Sequence, residues 1–124
     1  DIYFQLFVTA PLISIKTINN CIKILKVNKN YDSILTAQSI YSWFWFKKKP
    51  VNYKPKLLPR SQDANPVILE TTALYGIRKR ALKKFKCRIG KKPFFYETPR
   101  DESVDLDTEE DFKTLQFFLS KRKK

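Results

Sequence analysis

The first 40 residues constrain the fold most strongly, because they alternate between the apolar patterns of strands and helices. Residues 2–8 form a nearly continuous apolar run with β-branched and aromatic members, which is typical of a buried strand. Residues 17–28 repeat apolar side chains at intervals of three and four, which predicts an amphipathic helix. Residues 33–40 have the composition of a second strand. This order predicts a βαβ unit of an α/β fold with a mainly parallel sheet.

The second half of the chain continues this alternation. The pattern predicts strands at residues 67–77 and 94–98, a short helix at 78–86 and a last helix at 108–121. Thr108 and Asp111 stand three residues apart, like a capping box with Asp in place of Glu, so we expect the last helix to begin there. We expect its buried side to carry Phe112, Leu115 and Leu119.

Residues 41–66 interrupt the pattern with an aromatic and proline-rich segment. Four adjacent aromatic residues, 43–46, precede three lysines and four of the seven prolines. Because proline lacks the backbone N–H, this segment suits neither a central strand nor a helix, and we expect an extended arm with a short hairpin. The aromatic residues could pack on the domain's own core, bury against a second subunit or stack on single-stranded nucleic acid. We favour the subunit contact, since a hairpin carries little core of its own.

Composition limits the class of protein. A chain of 124 residues, 43% of them hydrophobic, supplies one core, so we expect a single domain over residues 1–124. No apolar run approaches the roughly 20 residues of a membrane helix, and we expect a cytoplasmic protein without a membrane partner. Cys21 and Cys87 are far apart and histidine is absent, which argues against a zinc site, His-based catalysis and a disulfide scaffold.

The charges of the chain are unevenly distributed. The net charge is +13, and residues 78–92 hold nine basic residues and no acidic one. Residues 97–111 hold eight of the twelve acidic residues, and the chain ends in KRKK at 121–124. Such a charge suits nucleic acid, an anionic small substrate or a merely solvated surface. An acidic cluster beside a basic stretch favours a site for a metal and a phosphate, and nucleic acid is the less favoured partner.

The acidic cluster contains two carboxylates, Asp105 and Asp107, at the end of an apolar run and just before the last helix. If this run is a strand, residues two apart project to the same face, so both carboxylates point one way. Such a pair can bind a hard divalent cation such as Mg²⁺, which takes oxygen ligands. The alternative is a solvated acidic helix start, because Asp and Glu favour helix N-termini.

Five stretches, in order along the chain, resemble one enzyme family. VDLDTEEDF at residues 104–112 resembles the I-D-I-D-[ST/N]-x-x-D-[FL] signature of the acylneuraminate cytidylyltransferases, the CMP–sialic acid synthetases. TAPL at 9–12 resembles the family's Q-x-T-S-P-L turn, and YDS at 31–33 its next strand entry. LPRSQD at 58–63 resembles the R-x-Q-D segment of its dimerisation arm, and ALYG at 73–76 its N-G-x-x-Y strand.

The resemblance implies a fold, a reaction and partners. The implied fold is a three-layer Rossmann-like nucleotidyltransferase, present in part, with residues 41–66 as the protruding dimerisation arm. The implied reaction joins CTP and an acidic sugar of the sialic or nonulosonic type to give the CMP-sugar and pyrophosphate. The implied cofactor is Mg²⁺ or another divalent cation, since phosphoryl-type transfer depends on charge neutralisation. The implied assembly is a homodimer.

The resemblance also implies roles for single residues. Asp105 and Asp107 match the family's metal-binding, catalytic aspartates. The residues implied to bind substrate are Thr9, Arg60, Gln62, Tyr75 and Phe94. For Arg60 the planar guanidinium suits a sugar carboxylate, in its own or the partner subunit's site, and a solvated arm residue is the alternative. Thr9 could equally cap a turn. Tyr75, Phe94 and Phe95 could be pocket walls or simply core.

Three departures from the family leave other hypotheses open. The family's Gln falls on Phe7, and its Asn-Gly falls on Thr71 and Thr72. The family's glycine- and lysine-rich nucleotide-binding loop is not in this chain, so we expect it in a preceding segment of the natural protein and expect this chain to be only part of the enzyme. The alternatives are a basic nucleic-acid-binding module and a non-catalytic remnant that only dimerises.

Overall fold

A four-stranded mixed sheet organises the chain in its computed structural model, which describes residues 1–122. Lys123 and Lys124, the last two residues of the basic tail noted in the sequence, lie outside the described residues. The elements in chain order are β1 (Ile2–Leu6), α1 (Ile15–Val27), β2 (Ser33–Ile40), β3 (Trp45–Phe46), β4 (Lys49–Pro50), β5 (Val67–Arg78), α2 (Lys79–Phe85), β6 (Pro93–Glu97) and α3 (Glu109–Arg122). The α/β class is therefore confirmed, with strand and helix positions close to those predicted. No helix within residues 1–122 combines the length and apolarity needed to cross a membrane.

The order of the strands is β1-β5-β2-β6, and this corrects the expectation of a mainly parallel sheet. β5 runs antiparallel to both β1 and β2, whereas β2 and β6 form a parallel pair. β1 and β2 do point in the same direction, as a βαβ unit requires. They are not neighbours, because β5 inserts between them from later in the chain.

The helix α1 covers one face of the sheet. The Ser14 hydroxyl caps its N-terminus by accepting from the backbone N–H of Thr17 at 3.1 Å. Cys21 and Leu25 are fully buried and pack against Ile34 of β2 and Leu74 of β5. Full burial of such a side chain contributes about 1.5–3 kcal/mol, so this contact anchors the helix on the two central strands.

The strand β1 is an edge strand and not the buried strand that its apolar sequence predicts. Within the described residues it pairs only with β5, from Ile2 opposite Arg78 to Leu6 opposite Leu74. Tyr3 and Leu6 are nearly half exposed as a consequence. Nearly continuous apolarity predicts burial on both faces, but burial at a sheet edge depends on what covers it.

Residues 41–66 form an arm around a small hairpin. β3 and β4 pair antiparallel, and the two residues that join them, Lys47 and Lys48, both have positive φ, 47° and 63°. Two such residues make the turn that matches strand twist in a hairpin. Trp43 and Tyr53 stack with their ring centroids 4.4 Å apart. Trp45 and Phe46 stay more than half exposed.

The last helix, α3, begins at the predicted capping box. The backbone N–H of Asp111 donates to the Thr108 hydroxyl at 3.2 Å, and the Asp111 carboxylate accepts from the Thr108 backbone N–H at 2.8 Å. Leu115 is buried, as predicted, but Phe112 and Leu119 are about two-fifths exposed. The helical period correctly predicted an apolar side of α3, but of its three predicted residues only the central one, Leu115, is buried among residues 1–122.

Candidate functional site

A wide bulge in the ladder between β2 and β5 is the centre of the candidate site. Leu35 pairs with Tyr75, and the next pair joins Ala37 to Glu70. Between these two pairs the register moves two residues along β2 and five residues along β5. Part of β5 therefore bends out of the ladder with β2. Bulges re-aim side chains and are over-represented next to active sites.

Thr72, within this bulge, has a strained backbone. Its φ is 54°, in the left-handed region that a β-branched residue rarely adopts. Its hydroxyl oxygen lies 2.8 Å from an Asp105 carboxylate oxygen, Oδ2, and 2.8 Å from the backbone carbonyl of Thr71. Its single proton can serve one of these acceptors at a time. The strained backbone thus holds a donor against the acidic motif.

The acidic motif reaches the bulge through loop backbone, which corrects the expectation of a strand there. Residues 104–108 belong to no strand or helix. The backbone N–H of Leu106 donates to the carbonyl of Thr9 at 2.7 Å, so the motif docks on the turn that follows β1. The same-face argument for Asp105 and Asp107 therefore does not apply. Asp105 is partly buried and Asp107 is exposed.

Two oxygens at this point are buried without a hydrogen-bond partner among residues 1–122, namely Oδ1 of Asp105 and Oγ1 of Thr71. Burying an unpaired carboxylate oxygen is costly, and nearby positive charge removes the cost. Carboxylate and hydroxyl oxygens are the ligand types that a hard divalent cation takes. The described part of the chain assembles no group of three or more His, Cys, Asp or Glu residues suited to a metal. The site offers one buried carboxylate oxygen beside Asp107.

Tyr75 lies on the sheet face opposite α1. In register, Leu35 joins Tyr75 on one side and Phe95 on the other, so these side chains share that face. The Tyr75 hydroxyl donates to the Glu70 carboxylate at 2.7 Å. Burial, and then the hydrogen bond to Glu70, raise the pKa of Tyr75 to about 12. The Arg88 guanidinium lies over the Tyr75 ring, 4.1 Å from its centroid.

Phe94 lies on the other face, away from Tyr75. It packs against the buried cluster under α1 and meets the Tyr31 ring edge-on, at 4.9 Å between centroids. Side chains alternate along a strand, so Phe95 and not Phe94 shares a face with Tyr75. The structure thus separates Phe94 from the other residues implied to bind substrate, and gives it a role in the core.

Arg60 and Gln62 lie on the arm and are both exposed. The Arg60 guanidinium donates from Nε to Asp63 at 2.8 Å, a solvent-exposed pair of small energetic value. Within residues 1–122, neither Arg60 nor Gln62 hydrogen-bonds to Asp105 or Asp107. Thr9 is brought to the site, through its backbone carbonyl.

The acidic motif and the start of the basic stretch lie toward opposite ends of the sheet, whereas the sequence places the two stretches side by side. Arg78 ends β5 at the level of Ser33, at the start of β2, where the basic stretch begins. Asp105 contacts Thr72, in the bulge beyond Leu35 of β2. At about 3.3 Å per residue along a strand, the two ends are roughly 10 Å or more apart. Arg88 of the basic stretch nevertheless lies over the Tyr75 ring, 4.1 Å from its centroid, so that stretch is not confined to the far end.

Two residues of the site, Thr71 and Thr72, went unrecognised as functional in the sequence. The pattern of the family that the sequence resembles has Asn-Gly at these two positions. Glycine adopts positive φ freely, so this pattern could have indicated the unusual backbone at Thr72. No protein-family model matches the chain, and no curated protein matches it. The function therefore has to be argued from the site.

Proposed function

We propose that the chain carries the metal-binding and sugar-binding side of a nucleotidyltransferase with a three-layer Rossmann-like fold, which activates an acidic sugar as its CMP conjugate from CTP and releases pyrophosphate. One observation carries the proposal. Three segments that are far apart in the sequence meet near the carboxyl end of β1: the Leu106 N–H donates to the Thr9 carbonyl, and the Thr72 hydroxyl donates to Asp105. Ligands of open α/β sheets bind beyond the carboxyl ends of strands.

The oxygens at this point fit a divalent cation. Oδ1 of Asp105 is buried without a hydrogen-bond partner among residues 1–122. A bound cation would offset the cost of burying this oxygen. Mg²⁺ is usually held by one or two carboxylates together with substrate phosphates and water, and the carboxylates assigned to it in this proposal are Asp105 and Asp107. When bound, the cation supplies neutralisation of charge on the reacting phosphate. Thr72 holds the other Asp105 oxygen in place.

The arm supports a homodimer in which it serves the partner's site. Trp45, Phe46, Leu57 and Leu58 are exposed by 56%, 67%, 72% and 88%, and clustered exposed apolar side chains mark interaction surfaces. The guanidinium of Arg60 is engaged only by an exposed aspartate and is free to exchange it for a sugar carboxylate. Tyr75 is fully buried and belongs to the core, so in this proposal Phe95, which is 46% exposed, forms an apolar wall for the sugar.

Pyrophosphate release from CTP tests this function. The natural parent protein is assayed with Mg²⁺ and acidic sugars of the sialic, pseudaminic, legionaminic and 3-deoxy-octulosonic types. We expect Asp105→Asn and Asp107→Ala to lower the rate by about 100-fold or more, the scale of losing one preorganised electrostatic contact. Glu109→Gln, which removes an exposed carboxylate from the same acidic segment, is the matched control. Full activity of Asp107→Ala would remove the metal role of that residue.

Binding of Mn²⁺, followed by its electron paramagnetic resonance signal, separates the alternatives. The proposed site predicts that Mn²⁺ binds wild type and Glu109→Gln equally and binds Asp105→Asn more weakly. A chain that dimerises but binds neither Mn²⁺ nor CTP would be the non-catalytic remnant. The dimer itself is measured by analytical ultracentrifugation, with Trp45→Ser as the variant that weakens it.

A further inference from the structure

A second charged region lies at the end of the sheet opposite Asp105. A cavity of about 280 Å³ there is lined by Arg80, Ala81, Lys84 and Phe85 of α2, by Lys91 and Lys92 of the loop before β6, and by Asp32 and Arg78 beside them. An adjoining hollow of about 470 Å³ extends the same surface past Lys79 and Lys83. We call this surface, formed by α2 and residues 86–92, the α2 face.

Apart from Lys79, the positive charges of the α2 face have no acidic salt-bridge partner among residues 1–122. The nearby carboxylate of Asp32 accepts from the backbone N–H groups of Lys91 and Lys92, at 2.8 and 3.0 Å, and not from their ammonium groups. Asp1 pairs with Lys79 at 2.9 Å. Within the described part of the chain, the side chains of Arg80, Lys83, Lys84, Lys91 and Lys92 form no salt bridge. Like charges crowded in this way repel one another and favour an anionic ligand.

The loop that carries Lys91 and Lys92 is held in place by the fold. Its Gly90 N–H donates to the buried Ser33 hydroxyl at 2.9 Å. A Cβ atom on Gly90 would collide with the carboxylate of Asp32. This fixed loop brings the two lysines against a cavity that they share with residues of α2. The cationic surface is thus built by tertiary structure and is not only a run of charge in the sequence.

The cavity also contains an aromatic ring. Phe85 is 37% exposed among the cations, with the Lys84 ammonium 5.5 Å from its ring centroid. Cations for phosphates and an aromatic face for a base are the two components by which proteins bind single-stranded nucleic acid. A paired base in a duplex has no free face for such stacking, which favours single strands. The acidic stretch that argued against nucleic acid lies at the other end of the sheet.

We propose that the α2 face binds single-stranded nucleic acid, with phosphates on Arg80, Lys84, Lys91 and Lys92 and a base on Phe85. This activity is independent of the proposed nucleotidyltransferase site, because it uses neither Asp105 nor the arm. Four phosphate contacts predict a slope of about −3 for the logarithm of affinity against the logarithm of salt concentration, from the single-strand coefficient of about 0.7 per contact.

Fluorescence anisotropy with a labelled mixed-sequence single-stranded oligonucleotide and the full chain tests the proposal. We expect the double variant Arg80→Glu/Lys84→Glu to bind at least about tenfold more weakly, since it reverses two phosphate contacts. The control is Lys16→Glu/Lys23→Glu, on exposed positions of α1, which changes the net charge by the same amount. We expect that control to lose less than about threefold. If the first variant unfolds, judged by circular dichroism, Lys91→Glu/Lys92→Glu in the loop replaces it.

The aromatic contact has its own control. We expect Phe85→Ala to lose about tenfold in affinity with little change in the salt slope, because stacking is not electrostatic. Phe117→Ala, at an exposed position of α3, should bind like wild type. Equal losses in the two charge-reversal variants would mean non-specific attraction to net charge and would overturn the proposal. Equal affinity for a duplex of the same length would overturn it as well.

Discussion

Replacing Thr72 by glycine is expected to destabilise the protein when Asp105 is present and to stabilise it when Asp105 is absent. The Thr72 backbone, at φ 54°, is strained, and its hydroxyl donates to Asp105. Replacing Thr72 by glycine removes both features. The left-handed conformation costs an L-residue roughly 1–2 kcal/mol, and glycine removes this cost. Glycine also gives the unfolded chain more freedom, which lowers the free energy of unfolding by about 0.4–1 kcal/mol. Relief of strain alone therefore stabilises the variant by about 0.8 kcal/mol.

The lost hydrogen bond acts in the opposite direction. A hydrogen bond to a charged group contributes about 1.5–3 kcal/mol, so Thr72→Gly in the wild-type protein is expected to lower the free energy of unfolding by about 1.4 kcal/mol. In an Asp105→Ala background the carboxylate is absent, and only the relief of strain remains. The same substitution should then raise the free energy of unfolding by about 0.8 kcal/mol.

Urea unfolding of the four proteins in this cycle, followed by circular dichroism, measures both differences without any substrate. The coupling of about 2 kcal/mol between the two residues lies well above the error of such cycles. A destabilisation of equal size in both backgrounds would show that Thr72 and Asp105 do not interact, and would refute the assignment of Thr72 as the residue that holds this carboxylate. Thr72→Ser, which keeps the hydroxyl, should unfold within about 0.5 kcal/mol of wild type.

Three further predictions follow from single side chains. Since the pKa of Tyr75 is about 12, ultraviolet titration should show one of the six tyrosines ionising late, and Tyr75→Phe should remove that step only. Hydrogen bonds from Thr108 lower the pKa of Asp111 below 3.8. The contribution of this carboxylate to stability is therefore complete above that pH and is lost as the pH falls through the lowered pKa. Asp111→Asn should reduce the helicity measured by circular dichroism at neutral pH and should match wild type in strong acid. Burial raises the pKa of the Cys21 thiol to about 12, so a thiol reagent should label the exposed Cys87 at once and Cys21 only on unfolding, and immediate reaction of both would contradict this packing.

Local sequence patterns were sufficient to determine most elements of the fold. The bounds of β2 match the prediction, and those of α1, β5 and α2 differ from it by at most two residues at either end. The start of α3 also followed from Thr108 and Asp111. These features depend on neighbours within one or two turns of chain, which is why apolar period and capping chemistry reveal them. The resemblance implies one site for the turn at Thr9 and the motif at Asp105, and in the structure a hydrogen bond from Leu106 to Thr9 joins these two segments.

Tertiary structure alone decided the order of the strands and the content of the site. β5 inserts between β1 and β2 through pairings across the length of the domain, and this insertion makes β1 an edge and the sheet mixed. The bulge shifts the register of β5 against β2, so it decides that Thr72 meets Asp105. Strand alternation in that register decides that Phe95 and not Phe94 lies beside the face of Tyr75. Register and adjacency are long-range choices, and a one-residue shift reverses every side chain, so no local pattern contains them.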